Sequence, residues 1–134
     1  MSVKFIDNRI QVEGAMKEAA IAYLHEASGE LVSQTARNTA VDTGQLKGSW
    51  NYKVDEGRLE STIGSPLENA IWEEFGTGEY ALHGDGRKGG WVYEDAKGDW
   101  HRTTGKPPKR ALYKAYISLK NPLIQRAKAM FKGL

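Results

Sequence analysis

Residues 50–64, Trp50-Asn51-Tyr52-Lys53-Val54-Asp55-Glu56-Gly57-Arg58-Leu59-Glu60-Ser61-Thr62-Ile63-Gly64 (WNYKVDEGRLESTIG), carry the pattern that decides the fold class. Trp50, Tyr52 and Val54 alternate with polar residues, as a half-buried strand requires. Asp55-Glu56-Gly57 is turn chemistry, and Leu59, Ser61 and Ile63 alternate again on the way back. Gly64-Ser65-Pro66 closes the unit, because proline cannot continue a central ladder. This stretch therefore predicts an antiparallel hairpin.

Working outward, residues 7–38 read as a helix. Met16, Ala20, Tyr23 or Leu24, Ala27 and Leu31 recur every three or four positions, which places them on one face. Asp7 is the expected cap, Gly14 and Gly29 weaken the pattern with a break near Gly29 allowed, and Val41-Asp42-Thr43-Gly44 ends it. Downstream, Asn69 to Gly78 (NAIWEEFGTG) leads into a glycine-rich segment, Gly76 to Gly90, which reads as a mobile surface loop. Trp91-Val92-Tyr93 and Trp100-His101-Arg102 flank a turn at Lys97-Gly98, a second hairpin. Pro107-Pro108 opens a final helix whose apolar stripe is Leu112, Ala115 or Tyr116, Leu119, Leu123, Ala127 and Met130, with a kink or a junction of two helices at Pro122. Strands in one block with helices at both ends predict a single α+β domain over 1–134: a long N-terminal helix, an antiparallel sheet built from hairpins, and a C-terminal helix packed on that sheet.

The composition bounds the chemistry. The 134 residues are 27% charged and 40% hydrophobic, an ordinary globular balance. The absence of cysteine excludes disulfides and thiolate metal sites. No apolar run reaches membrane-spanning length and no signal-peptide pattern opens the chain, so folding in a cytoplasm and no membrane contact are expected. The formal charge of +2 is unevenly spread: from Trp100 onward there are nine basic residues and no acid, leaving −7 on the rest. A basic end on an acidic body fits either DNA or the acidic surface of a neighbouring copy.

Catalytic and metal-binding readings are thin. Glu73 and Glu74 are adjacent, so on a helix or a strand they do not converge on one substrate as an acid/base pair must. Gly76-Thr77-Gly78 lacks the lysine of a phosphate loop and is followed by Glu79, whose charge repels phosphate; a turn with positive φ is the expected role. His83, Asp85 and His101 are the only set that suggests a metal-dependent hydrolase, a weak rival. No enzyme activity, metal or cofactor is expected. Trp72 and Phe75 are expected to anchor their segment in the core.

Three segments, taken in order, resemble the small neck or tail-completion proteins of long-tailed bacteriophages. Val41-Asp42-Thr43-Gly44-Gln45-Leu46-Lys47-Gly48-Ser49 looks like their P-V-D-T-G-x-L-x-x-S signature. Ile63-Gly64 followed by NAIWEEFGTG resembles V-G-…-Y-A-x-x-x-E-x-G-T-G, and Pro108 to Leu112 resembles the P-F-L-R-P-A-L start of the last helix. Asp42, Thr43, Gly44, Leu46, Trp72 and Glu74 are the structural positions of these motifs. The sequence departs at Ala40, Asn69 and Lys109, and carries a long insert from Glu79 to Thr104.

The resemblance implies a non-enzymatic virion protein of the neck, made in the host cytoplasm, which joins head connector to tail. It implies a ring-type homo-oligomer whose partners are connector or portal-side proteins and the tail tube or tail terminator, with minor tail roles close by. Heterologous contacts in a ring need two different surfaces, which the acidic body and basic helix supply. The expected docking residues are Phe75, Gly76, Thr77, Gly78, Tyr80, His83, Arg87 and Lys88 on the loop, with Lys109, Arg110 and Lys114 at the basic helix. A small DNA-binding protein using that helix is the alternative, and non-specific contact with passing DNA is compatible with either reading.

Overall fold

The structure, a computed structural model, describes residues 9–40 and 44–133. Asp7, and Val41, Asp42 and Thr43 of the first motif, lie outside the described residues. In chain order the elements are α1 (Arg9–Asn38), β1 (Asn51–Asp55), β2 (Glu60–Gly64), α2 (Glu68–Phe75), β3 (Trp91–Glu94), β4 (Trp100–Thr103) and α3 (Ala111–Lys132), with 3-10 turns at Lys47–Ser49 and Gly78–Tyr80. This is the α+β order expected from the periodicities.

Both hairpins are antiparallel. Asn51 pairs with Gly64 and Asp55 with Glu60 in the first; Trp91 pairs with Thr103 and Glu94 with Trp100 in the second. They form two separate two-stranded ladders rather than one sheet. The first lies on α1, its Tyr52, Val54, Ser61 and Ile63 half-buried as the alternation requires. Two side-chain bonds fix it there: His25 Nδ1 with the Tyr52 hydroxyl at 3.0 Å, and Ser28 with Ser61.

A chain of donors ties the start of that hairpin to the end of α1. The buried Trp50 indole N–H donates to Thr39 Oγ1 (2.9 Å), Thr39 donates to the Thr35 carbonyl (2.7 Å), and Thr35 donates to the Leu31 carbonyl (2.7 Å). Thr35 and Thr39 are buried, so their hydroxyls need these partners. α1 runs through Gly14 and Gly29 without a break.

α3 is one helix through Pro122, not two. It packs along α1, with its beginning against α2, instead of on a sheet. The two long helices are antiparallel: Asn38 Nδ2 donates to the Ala111 carbonyl at one end (3.1 Å), and Tyr23 donates to the Leu123 carbonyl further on (2.8 Å). Arg126 holds Glu26 and Glu30 at 3.0 and 2.6 Å. Small buried residues on the two helices suit this packing, Ala27 and Thr35 on α1 and Ala111 and Ala115 on α3. The first turns of α1 are exposed, including Met16, and Tyr116 faces outward while Ala115 is fully buried.

Candidate partner-docking site

The NAIWEEFGTG stretch folds as helix α2 and the turn that ends it. Ala70 and Glu74, four residues apart, share the buried face. Trp72 and Phe75 fall off that face and are 52% and 39% exposed, so the expectation that they anchor in the core is corrected. Eight residues give the helix one narrow buried stripe, and two small or polar residues occupy it.

Glu74 explains why a carboxylate is there. α3 starts at Ala111 after Arg110, which sits in the left-handed region (φ 59) and offers no side-chain oxygen to cap the helix. The first amide groups of a helix have no partner within it. Glu74 supplies one from a different helix: Oε1 accepts from the Leu112 amide at 2.8 Å and Oε2 from Tyr113 at 3.4 Å. Arg110 Nε stands 3.6 Å from the same carboxylate, its guanidinium over the Phe75 and Tyr113 rings. Glu73 accepts a hydrogen bond from Lys106 instead, and its carbonyl accepts from the Lys109 amide (2.6 Å). The two adjacent glutamates therefore diverge, each tying α2 to the run into α3.

Gly76-Thr77-Gly78 is a place of close backbone approach. Gly76 (φ 76) ends α2, its amide donating to the Trp72 carbonyl at 2.8 Å. Thr77 then pairs with Lys106 in both directions, and the Glu79 amide donates to the Thr104 carbonyl at 2.9 Å. A Cβ on Gly78 would stand 2.1 Å from the Thr104 oxygen, and one on Gly105 2.1 Å from the Thr77 oxygen. Glycine is required here for room as well as for φ.

Between α2, this turn and the Thr39–Ala40 and Gly44–Leu46 stretches runs an open groove of about 1000 Å³. Of the expected docking residues, the structure gathers Phe75, Gly76, Thr77, Gly78, His83, Arg87 and Lys109 along it, with Gly44, Leu46 and Trp72 of the motif set. His83 packs against Phe75 with ring centroids 5.6 Å apart, and Arg87 covers Trp91 at 5.7 Å. Tyr80 and Lys88 are exposed beside the groove without lining it, Arg110 walls a second, smaller groove, and Lys114 lies on the open side of α3. Ile71 and Trp91, not singled out in the sequence, also line the large groove; only α2 being helical brings Ile71 there.

His83, Asp85 and His101 do not converge. His101 bonds Asp95 across its own hairpin at 2.7 Å, and no group of three or more His, Asp or Glu among the described residues is placed to hold a metal ion. The Asp95 carboxyl is held below the ordinary carboxylate range, first by His101 and then by the amides of the turn, those of Asp99 and Lys97 among them. A depressed folded value means that ionised Asp95 stabilises the turn above its ordinary pKa, and that this contribution is lost as pH falls through the folded value. The amide resonances of Lys97 and Asp99 should thus follow one acid titration centred below about pH 4. Resonances that stay flat on acidification would contradict this.

The family comparison follows the same residues. The sequence profile of the family described as "Bacteriophage HK97-gp10, putative tail-component" matches residues 4–76, more than half of the 134. The chain belongs to this family. The match spans α1, the first hairpin and α2 and stops at Gly76, where the chain enters the groove's outer wall. The second hairpin and α3 lie beyond the matched residues; Trp91 of β3 lines the groove, and α3 packs along α1. No curated protein and no solved structure matches the chain. No helix among the described residues is long and apolar enough to cross a membrane.

Proposed function

We propose that this phage tail-component family member is a non-enzymatic virion protein of the neck. It completes the tail or joins it to the head connector, by self-association and by docking a partner segment in the groove beside α2. The observation that carries the reading is the half-exposed Trp72 in that groove, on the short helix inside the family match. An indole left open in a concave surface is the kind of anchor on which protein interfaces concentrate their affinity. Two carboxylates of α2, Glu73 on the groove and the buried Glu74, are engaged in structural bonds, which fits a scaffold better than a reaction centre. Three of the nine C-terminal basic residues, Lys106, Arg110 and Arg126, already pair with acids of the body. Of these, Arg126 lies on α3 and the other two on the approach to it, so the DNA-binding reading loses one charge of the helix itself.

The test is capture of purified connector and tail-tube proteins by wild-type chain and by Trp72→Ala. Truncating an anchor of this type should weaken binding of one of them by tenfold or more, with the melting temperature little changed. Capture of neither protein, together with DNA binding that falls steeply with salt, would replace this reading with the DNA-binding one.

A further inference from the structure

The groove beside α2 is not the only concave surface. A second one, of about 310 Å³, is walled mainly by apolar side chains, Ile63, Phe75, Leu112, Tyr113 and Tyr116 among them, with the Glu74–Arg110 pair in the same wall. It opens toward the outer face of α3, where Tyr113, Tyr116, Ile117, Ile124 and Phe131 are all substantially exposed. Lys120, its ammonium 5.6 Å from the Tyr116 ring, stands at this edge, and among the described residues neither it nor Lys114 or Lys128 has a carboxylate partner. The surface is an apolar slot with a positive border.

The opposite shape occurs at the tip of the first hairpin. Its loop joins the paired residues Asp55 and Glu60, and Leu59 within it adopts φ 53 while 41% exposed. Backbone in that region favours glycine or asparagine; a leucine is disfavoured there by its Cβ, and its own chain leaves a large part of the side chain open to solvent. Asp55, Glu56 and Glu60 surround it, with Arg58 the one cation. The tip is an apolar knob in a mostly acidic collar.

We infer that the β1–β2 tip of one copy seats in the α3 slot of a second copy, Leu59 against Tyr113 and Tyr116, with the acidic collar facing Lys120. This rests on the self-association proposed above and specifies its contact. A chain cannot fill its own slot: Ile63, on the slot wall, lies four residues along the hairpin from Leu59, roughly 13 Å of strand. Each copy therefore offers one knob and one slot, a head-to-tail contact of the kind that builds a ring when its rotation closes and a filament when it does not.

The chain has no cysteine, so engineered pairs report cleanly. The double variant Leu59→Cys with Tyr116→Cys, mildly oxidised, should give a ladder of covalent oligomers that each single variant lacks. Leu59→Gly suits the local backbone and removes the knob. It should melt no lower than wild type, yet self-associate about tenfold or more weakly, as expected for losing one buried leucine contact. A double variant that stays monomeric, a single variant that gives the same ladder, or a Leu59→Gly protein that associates like wild type each overturns the contact. None of these results bears on capture of tail or connector proteins through Trp72, so the two readings fail separately.

Discussion

Glu74→Ala should lower the unfolding free energy by about 3 kcal/mol, the scale for breaking a buried ion pair from one side. Three losses coincide. The amides of Leu112 and Tyr113 lose the acceptor that replaces a cap at the start of α3. Arg110 loses the carboxylate beside its Nε, and its Nη1 is already buried without a hydrogen-bond partner. The contact of α2 with α3 loses the side chain that joins them. For a domain of this length the fall in melting temperature is on the order of 10 °C. Glu74→Gln retains one acceptor oxygen and should cost about half as much, near 1–2 kcal/mol. Thermal and urea unfolding check both, and a Glu74→Ala protein that unfolds with wild type would remove the cap from the account.

The second large effect concerns two glycines that share a positive φ and differ in space. Gly78 (φ 62) and Gly84 (φ 70) both lie in the left-handed region. A Cβ at Gly84 meets nothing within 4 Å, so Gly84→Ala should cost about 1–2 kcal/mol for conformation alone. At Gly78 the same Cβ meets the Thr104 carbonyl at 2.1 Å and Gly105 Cα at 2.8 Å, backbone that cannot move without breaking the Thr77–Lys106 and Glu79–Thr104 bonds. Adding overpacking to conformation puts Gly78→Ala at roughly 3 kcal/mol or more. Equal losses at the two sites, measured by chemical denaturation, would show that room plays no part in the Gly-Thr-Gly turn.

The elements were legible where a period was written into the side chains. Tyr52, Val54, Ser61 and Ile63 alternate in the sequence and are half-buried in the structure. The α1 stripe is correctly placed at Ala27, and the α3 stripe at Ala115 and Leu123. What the sequence hid is long-range. Nothing near Glu74 announces that its partner amides lie 38 and 39 residues away, and nothing near Thr77 names Lys106. α2 was hard to orient because in eight residues the largest apolar side chains are not the buried ones. α3 carries two apolar stripes, and the periodicity of Tyr116 alone does not say which one faces α1. Packing on a helix instead of a sheet follows from small side chains meeting, a fact of tertiary context. The candidate groove was half visible: its glycine turn and loop residues stood out, while Ile71 and Trp91 joined them only through the fold.

The alanine-lined seam between α1 and α3 has a consequence for the life cycle of the subunit. Small buried residues bring the helices close but withdraw little apolar surface from water, while many of the chain's largest apolar side chains remain outside. Much of the apolar surface of this chain is therefore not withdrawn from water by its own fold. If neighbours cover those side chains as proposed, their burial adds to the stability of the assembled subunit by mass action. On that reading, folding of the subunit and assembly of the particle draw on one store of apolar surface, and the exposed Trp72, Tyr113 and Ile117 are part of it.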